Sequence, residues 1–460
     1  MTVNHSLPRP AINPWHAEFK AMLLLAAPLA FANLAQIAIN TTDIIMMGWL
    51  GPQQLAAGAL AANLLFPLHY FSIGVITAVA PIIAQALGAR AFRQVRRAVR
   101  QGIWVAITIS LPVMAVLWHG REILLLMGQT EASSDLAQVY LRIALWAFLP
   151  GLCFAVLRCF VAGHSRPRSA VVITVAAIGV NAISNWLLMF GNLGLPRLEL
   201  AGAAISTVLV NALMFIGLLA FVVRDRRFKR YRILVRFWRP DWTLFRDILR
   251  LGLPIGLTVL AEAGMFAVST FLMGLIGTLQ VAAHAIAIQC AGIVFMLPLG
   301  VSQAATIRVG YAAGAGNVDG ARRAGWSALV VGFVGAAATA LLLWIGDGPI
   351  RFLFLGGGGA DAPVLAALVA QFVGFAAFFQ LFDATQAIAA GALRGLKDTR
   401  TPMIIATAGY WGVGTGGAVL LAFLLDWGGA GIWIGLLLGL AAVAGMLTVR
   451  FHWLSRQHLG

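Results

Sequence analysis

The sequence predicts an all-α integral membrane protein with twelve transmembrane helices, in two six-helix lobes related by a pseudo-twofold axis along the membrane normal. The 460 residues are 61% hydrophobic and only 10% charged, whereas a soluble protein carries about 25% charged residues. Apolar stretches recur from residue 20 to the end. Each is about 20 residues long, enough to cross roughly 30 Å of hydrocarbon as a helix. An internal repeat relates the two halves.

The hydrophobic stretches are separated by short connections, most of which contain Gly, Pro or polar residues. We place the spans at residues 20–46, 56–82, 101–119, 138–160, 169–190, 201–223, 249–273, 282–307, 326–345, 364–391, 402–425 and 430–450.

Basic residues fall almost entirely on one side of the predicted membrane. With the residues at the span ends included, the side that holds both termini carries 28 of the 32 Lys and Arg. The positive-inside rule therefore predicts that both termini are cytoplasmic. Arg outnumbers Lys 29 to 3, which is typical of a GC-rich genome. With the short loops, this favours a multi-pass protein of the bacterial inner (plasma) membrane.

A strongly basic segment, residues 224–248, divides the chain into a predicted N-lobe, 1–223, and a predicted C-lobe, 249–460. Residues 224–250 contain ten basic side chains. We interpret them as a topology signal that contacts anionic membrane lipid. The net charge of +16 is explained in the same way, and we expect no nucleic-acid partner.

The internal repeat appears when the sequence is shifted by 226 residues. Pro28 then falls on Pro254, and Gly74 falls on Gly300, without a gap. The pair Arg96-Arg97 likewise falls on Arg322-Arg323. Both copies begin on the same side of the membrane, six spans apart, so the repeat is parallel. Transporters use such repeats because two similar bundles can rock about a central site.

Three carboxylates lie inside predicted spans: Asp43, Glu262 and Asp383. An ionised carboxylate at mid-bilayer costs at least roughly 2.5–3.5 kcal/mol. We expect no basic residue at the depth of Glu262 and Asp383, so their predicted partner is a proton or a metal ion. The alternative is a pair of structural carboxyls hydrogen-bonded between helices.

Carboxamides accompany these carboxylates. Gln36 and Asp43 are seven residues apart and share one face of span 1, and Gln36 falls on Glu262 in the repeat frame. Asn181 and Asn185 share one face of span 5. Carboxamide oxygens beside carboxylates can bind a small hard cation. Asn side chains also hold membrane helices together, and both interpretations of the Asn pair stay open.

Several segments resemble the multidrug and toxic compound extrusion (MATE) family, in particular its NorM-like bacterial branch. The resemblance covers nearly the whole chain. It is carried by the first-span pattern from Gln36 to Asp43 followed by Met47-Gly48, and by three longer segments at residues 283–300, 307–310 and 389–399.

The resemblance implies two lobes in a V arrangement that exchange Na⁺ or H⁺ for small organic, often cationic, compounds, with no cofactor. The family's C-lobe carboxylates correspond to Glu262 and Asp383, a possible Na⁺ site. Its N-lobe site corresponds to Asp43, Asn181 and Asn185. Two positions depart from the family pattern: Phe379 stands where some members have Tyr, and Gln289 stands where Asn is common. The missing hydroxyl weakens the expectation of Na⁺ coordination.

Competing functions are a flippase for a lipid-linked precursor, an exporter of one specific metabolite, a membrane-embedded enzyme, and a receptor or channel. A flippase would need a basic central cavity, whereas almost all Arg lie on the cytoplasmic side. No paired His ligands, Ser–His arrangement or phosphate loop favours an enzyme, and the run from Gly356 to Gly359 lacks the Lys-Ser/Thr of such a loop. We therefore expect a monomeric multidrug efflux antiporter that works by alternating access.

Overall fold

A computed structural model describes residues 13–346, 348 and 362–457. The Gly356–Gly359 run lies outside them. Within the described part of the chain, twelve helices are long and apolar enough to cross a membrane. They are α1 (Pro14–Leu50), α2 (Pro52–Gly88), α3 (Phe92–Trp118), α4 (Glu131–Gly163), α5 (Arg168–Phe190), α6 (Glu199–Arg224), α7 (Trp242–Ile276), α8 (Thr278–Gly314), α9 (Val318–Ile345), α10 (Pro363–Gly395), α11 (Arg400–Leu424) and α12 (Gly428–Arg456). Each predicted span lies within the corresponding helix to within one residue, so the predicted fold class is confirmed.

The helix ends follow the 226-residue repeat. Leu50 ends α1 and Ile276 ends α7, while Gly88 ends α2 and Gly314 ends α8. A single residue separates α1 from α2, and the same holds for α7 and α8. In the first of these turns Gly51 has φ +120°, a conformation that residues with a side chain rarely adopt. The sequence repeat is therefore a structural repeat of helix–turn–helix units.

Each lobe has its own hydrophobic core, but α1 and α7 contribute to both. Met22 and Leu29, from the first half of α1, lie in the core formed mainly by α8 to α12. Ile248 and Ile255, from the first half of α7, lie in the core formed by α1 to α6. Proline interrupts the backbone hydrogen bonds inside both helices. The first halves of two helices thus pack across the predicted lobe boundary at the linker, and the boundary itself stays a prediction.

The lobes meet closely where these exchanged segments cross α2 and α8. A Cβ atom on Gly74 would lie 2.8 Å from the Cα of Gly256, and one on Gly300 would lie 2.5 Å from the backbone nitrogen of Ala30. The two contacts are equivalent by the repeat, since each partner is shifted by 226 residues. Only glycine allows backbones to approach this closely in a membrane bundle.

A second symmetric contact lies nearer the ends of α2 and α8. A Cβ on Gly88 would clash with the carbonyl oxygen of Tyr311, and one on Gly314 would clash with the carbonyl oxygen of Gln85. The Gln85 side chain also donates a 2.8 Å hydrogen bond to the carbonyl of Gly395 in the other lobe. We call the Gly88–Tyr311 and Gly314–Gln85 contacts the glycine seam.

An ion pair joins the lobes at the same end of the bundle. Arg308 on α8 donates two hydrogen bonds to the Glu18 carboxylate on α1, at 2.8 and 2.5 Å. This end also bears the linker between α6 and α7, and we call it the linker side. These interlobe contacts hold the lobes together on the linker side.

The linker is anchored to the N-lobe rather than free. The buried Arg100 side chain on α3 donates to the carbonyl oxygens of Val235 and Arg236, at 3.1 and 2.5 Å. The Trp104 indole donates to the carbonyl of Phe237 at 3.1 Å. Hydrogen bonds that involve a charged group contribute about 1.5–3 kcal/mol each, so Arg100 fixes the path of the linker.

Replacing Arg100 with leucine is expected to release the linker without unfolding the lobes. Local opening should become at least about tenfold more frequent, so trypsin should cut the linker faster and yield two halves on a gel. Arg93→Leu is the matched control because Arg93 lies exposed on the same helix. Equal cleavage rates in the two variants would contradict the anchoring role.

Candidate functional site

The C-lobe brings Glu262 on α7 and Asp383 on α10 together through one glutamine. The amide nitrogen of Gln386 donates to Glu262 Oε1 at 3.2 Å and to Asp383 Oδ1 at 3.1 Å. Asp383 and Gln386 are buried and Glu262 is half-buried. Gln386 lies one helical turn after Asp383, so both side chains leave the same face of α10. Two carboxylates thus share a single neutral donor.

Tyr410 completes this cluster from α11. Its hydroxyl donates a 2.7 Å hydrogen bond to Gln386 Oε1, and the side chain is fully buried. The backbone around it is a π-helix over Ala408–Thr415. Such segments shift the register of a helix and often occur at functional sites. Tyr410 and Gln386 are not among the residues predicted from the sequence, because neither carries a charge that would mark it inside a span.

One basic side chain lies near this cluster. Arg394, one residue before the end of α10, interacts electrostatically with Glu262 and Tyr410. Eleven residues, or about 16 Å of helix, separate it from Asp383. The expectation that no basic residue lies at the depth of the two carboxylates stays a prediction. Among the described residues, however, Arg394 and Glu262 do not form an ion pair within 4.0 Å.

An aromatic layer lies beside the carboxylates. Phe379, one turn before Asp383, is buried and packs against Phe266 and Trp433, with ring centroids 5.9 and 5.8 Å apart. His284 packs edge-on against the same Trp433 at 5.4 Å. From the turn before Asp383, Phe379 thus offers hydrocarbon and no hydroxyl to the carboxylates.

The N-lobe contains a second polar cluster around Asp43. The amide nitrogens of Asn181 and Asn185 donate to Asp43 Oδ1, at 2.9 and 2.6 Å. All three residues are buried. Within the described part of the chain, the amide oxygens of both Asn residues have no hydrogen-bond partner. Buried oxygens without a donor are costly unless a cation or water satisfies them.

Two of the predicted supporting residues stay outside these clusters. Gln36 is half-buried and Gln289 is exposed, and neither donates to a carboxylate in the described residues. Among those residues, no group of three or more His, Cys, Asp or Glu is arranged as a metal site. Any metal ion would therefore need amide or hydroxyl oxygens in addition to the carboxylates.

Two buried glutamines on α10 provide a test of the C-lobe network. Gln386 makes three hydrogen bonds, whereas Gln380 is fully buried with neither amide atom paired to a described residue. An unsatisfied buried polar group costs about 1–3 kcal/mol. We expect Gln380→Leu to raise the melting temperature and Gln386→Leu to lower it, in fluorescence-detected size-exclusion chromatography. The opposite order would show that the Gln386 bonds do not stabilise the lobe.

Comparison with known proteins gives a consistent family relationship. The MatE family model matches residues 28–187 and 254–420. A protein of Mesorhizobium japonicum named "Probable multidrug resistance protein NorM" is 49% identical over 97% of this chain and 96% of its own length. A protein of the same name from Pseudomonas aeruginosa is 41% identical, over 97% of this chain and 92% of its own.

Solved structures show the same fold. The eukaryotic MATE transporter AtDTX14 superposes with a TM-score of 0.86, over 97% of this chain and 99% of its own, at 21% sequence identity. A MATE family transporter of the MOP superfamily, solved in an outward-facing conformation, superposes with a TM-score of 0.88, over 96% and 97% of the two chains, at 20% identity.

Proposed function

This chain belongs to the MATE family of membrane transporters, and we propose that it is a multidrug efflux antiporter that exchanges a monovalent cation for organic compounds. The relatives named multidrug resistance proteins match nearly the whole chain, which supports efflux of small organic molecules. The observation that carries the coupling is the pair of carboxylates, Glu262 and Asp383, bridged by Gln386 inside the C-lobe.

Alternating access requires two lobe arrangements of similar free energy. The glycine seam and the Glu18–Arg308 pair close the linker side, while the pseudo-twofold repeat allows the lobes to rock about it. A cation that enters from the opposite side and binds the carboxylates favours release of bound drug. Drug entering from the linker side then favours release of the cation. Each ligand acts through its different affinity for the two arrangements.

We assign coupling to the C-lobe carboxylates rather than to Asp43. Two carboxylates that share one neutral donor repel each other unless a cation or proton neutralises one of them. Among the described residues no second carboxylate interacts with Asp43, and two carboxamides already donate to it. The unpaired amide oxygens of Asn181 and Asn185 support a role for the N-lobe cluster as a second cation site.

The orientation follows from the basic residues. The run Arg226, Arg227, Lys229, Arg230 and Arg232 is exposed on the linker side, close to the exposed Trp238 and Trp242. Basic and Trp side chains together favour the interface of an anionic leaflet. We propose that the linker side and both termini face the cytoplasm of a bacterial cell and that the transporter acts as a monomer in the inner membrane.

Dye transport in proteoliposomes tests this proposal. Wild-type protein should move ethidium against its gradient when a pH or Na⁺ gradient is imposed, and empty liposomes should not. Collapse of the gradient with an ionophore should stop the movement. Absence of ethidium transport under either gradient, with correctly folded protein, would reject the antiport function.

A further inference from the structure

We propose that Tyr410 and Gln386 determine ion selectivity at the C-lobe carboxylates and make the site accept a proton in preference to Na⁺. This inference rests on the proposed function, since it concerns which cation drives the antiport. It is carried by the chain of hydrogen bonds that runs from the Tyr410 hydroxyl through the Gln386 amide to Glu262 and Asp383.

The orientation of the Gln386 amide is set by its partners. Oε1 accepts the hydrogen bond from the Tyr410 hydroxyl at 2.7 Å. The amide nitrogen is therefore turned toward the carboxylates, where its two hydrogens are used, one by Glu262 and one by Asp383. An amide carries its positive end on the NH₂ group, so the carboxylates face the positive end of this dipole.

This orientation is unfavourable for Na⁺. A small hard cation needs several oxygen ligands, and it would meet the NH₂ group of Gln386 where it needs an oxygen. The only oxygen of that amide is held by Tyr410. Phe379 offers no hydroxyl from the preceding turn and packs into the aromatic layer. A Na⁺ ion would have to break the Tyr410 bond and turn the amide before it could be coordinated.

A proton needs no such rearrangement. It adds to one carboxylate oxygen, and the other oxygen of the same carboxyl can still accept from Gln386. Protonation also removes the repulsion between Glu262 and Asp383. The charged and titratable groups around the cluster are these two carboxyls, Arg394 and Tyr410. The positive charge of Arg394 disfavours both a bound Na⁺ and a proton on Glu262, so it does not discriminate between the two ions.

Removal of the Tyr410 hydroxyl should therefore weaken the discrimination. In Tyr410→Phe the amide oxygen of Gln386 loses its hydrogen-bond donor. When a cation lies between the carboxylates, the amide can turn so that this oxygen coordinates the cation. The variant then presents oxygens from three side chains to Na⁺, those of Glu262, Asp383 and Gln386. Gln386→Glu acts in the same direction by a different route, because it places an additional carboxylate oxygen in the cluster.

The test is the ratio of ethidium transport driven by a pH gradient to transport driven by an equal Na⁺ gradient, in proteoliposomes. We expect wild type to favour the pH gradient by at least about tenfold, and Tyr410→Phe to reduce that ratio by about tenfold. Tyr70→Phe is the matched control, since it removes the hydroxyl of an exposed tyrosine on α2 and should keep the wild-type ratio.

Each outcome is decisive. A wild-type ratio in Tyr410→Phe, or a wild-type protein driven equally well by Na⁺, would overturn the selectivity role while leaving antiport intact. If Tyr410→Phe fails to fold, Gln386→Glu gives the same comparison. Without any variant, added Na⁺ should not compete with pH-driven transport by wild type, and strong competition would also overturn the inference. Failure of all gradients to drive wild type would instead reject the antiport function itself.

Discussion

Glu262→Gln and Asp383→Asn are each expected to abolish gradient-driven efflux while the protein remains folded. Each substitution keeps the shape of the side chain but removes the carboxyl that exchanges the cation. Without this exchange the cation gradient no longer shifts the equilibrium between the two lobe arrangements. A ligand shifts that equilibrium only if it binds the two arrangements with different affinity. Ethidium efflux should fall to the level of empty liposomes, a loss of at least about tenfold, whereas ethidium binding to purified protein should persist.

Two comparisons make this result specific. Asp319→Asn is the same isosteric change at an exposed position at the start of α9 and should retain wild-type efflux. Asp43→Asn should retain part of the efflux because the C-lobe pair remains. Full loss in Asp43→Asn, with wild-type transport by both Glu262→Gln and Asp383→Asn, would move the coupling site to the N-lobe.

Gly314→Ala is expected to keep the lobes from closing on the linker side. The added Cβ would overlap the backbone of Gln85, which cannot move aside as a flexible side chain could. The closed arrangement is penalised by about 1–3 kcal/mol or more, so the population should shift toward the arrangement open at the linker side. Efflux should drop severalfold, and a cysteine placed in the seam should react faster with a thiol reagent added from that side.

Gly292→Ala provides the control on the same helix. Nothing lies within 4 Å of a Cβ at Gly292, and alanine is the better helix former by about 1 kcal/mol. Stability and efflux should therefore stay at or above the wild-type level. By the repeat, Gly88→Ala should behave like Gly314→Ala. Equal thiol reactivity of Gly314→Ala and wild type would show that the seam does not separate during transport.

Much of the fold follows from the sequence for clear physical reasons. A helix must cover the hydrocarbon thickness, so span length and number are visible in hydropathy. Pro28 and Pro254, and the glycines of the seam, recur at one spacing because the same close contacts are made twice. The first half of α1 packs in the C-lobe core and the first half of α7 packs in the N-lobe core. This crossing could not be predicted, since both lobes offer equally apolar surfaces.

The site was predicted in part. Glu262 and Asp383 could be identified from the sequence because an ionised side chain inside the membrane is energetically unfavourable. Gln386 and Tyr410 did not, because an amide or a phenol is tolerated in a span, and the π-helix that presents Tyr410 has no periodic signature. The role of Gln289 stays a prediction, because a resemblance to the family pattern does not show which way a side chain faces.

The most direct test of the account is proton release on drug binding. Purified wild-type protein in weakly buffered detergent solution is mixed with ethidium, and the pH change is followed with an indicator dye. We expect binding to displace protons from wild type and to displace none from the double variant Glu262→Gln, Asp383→Asn. Ethidium binding to wild type without proton release, or equal release from the double variant, would contradict it.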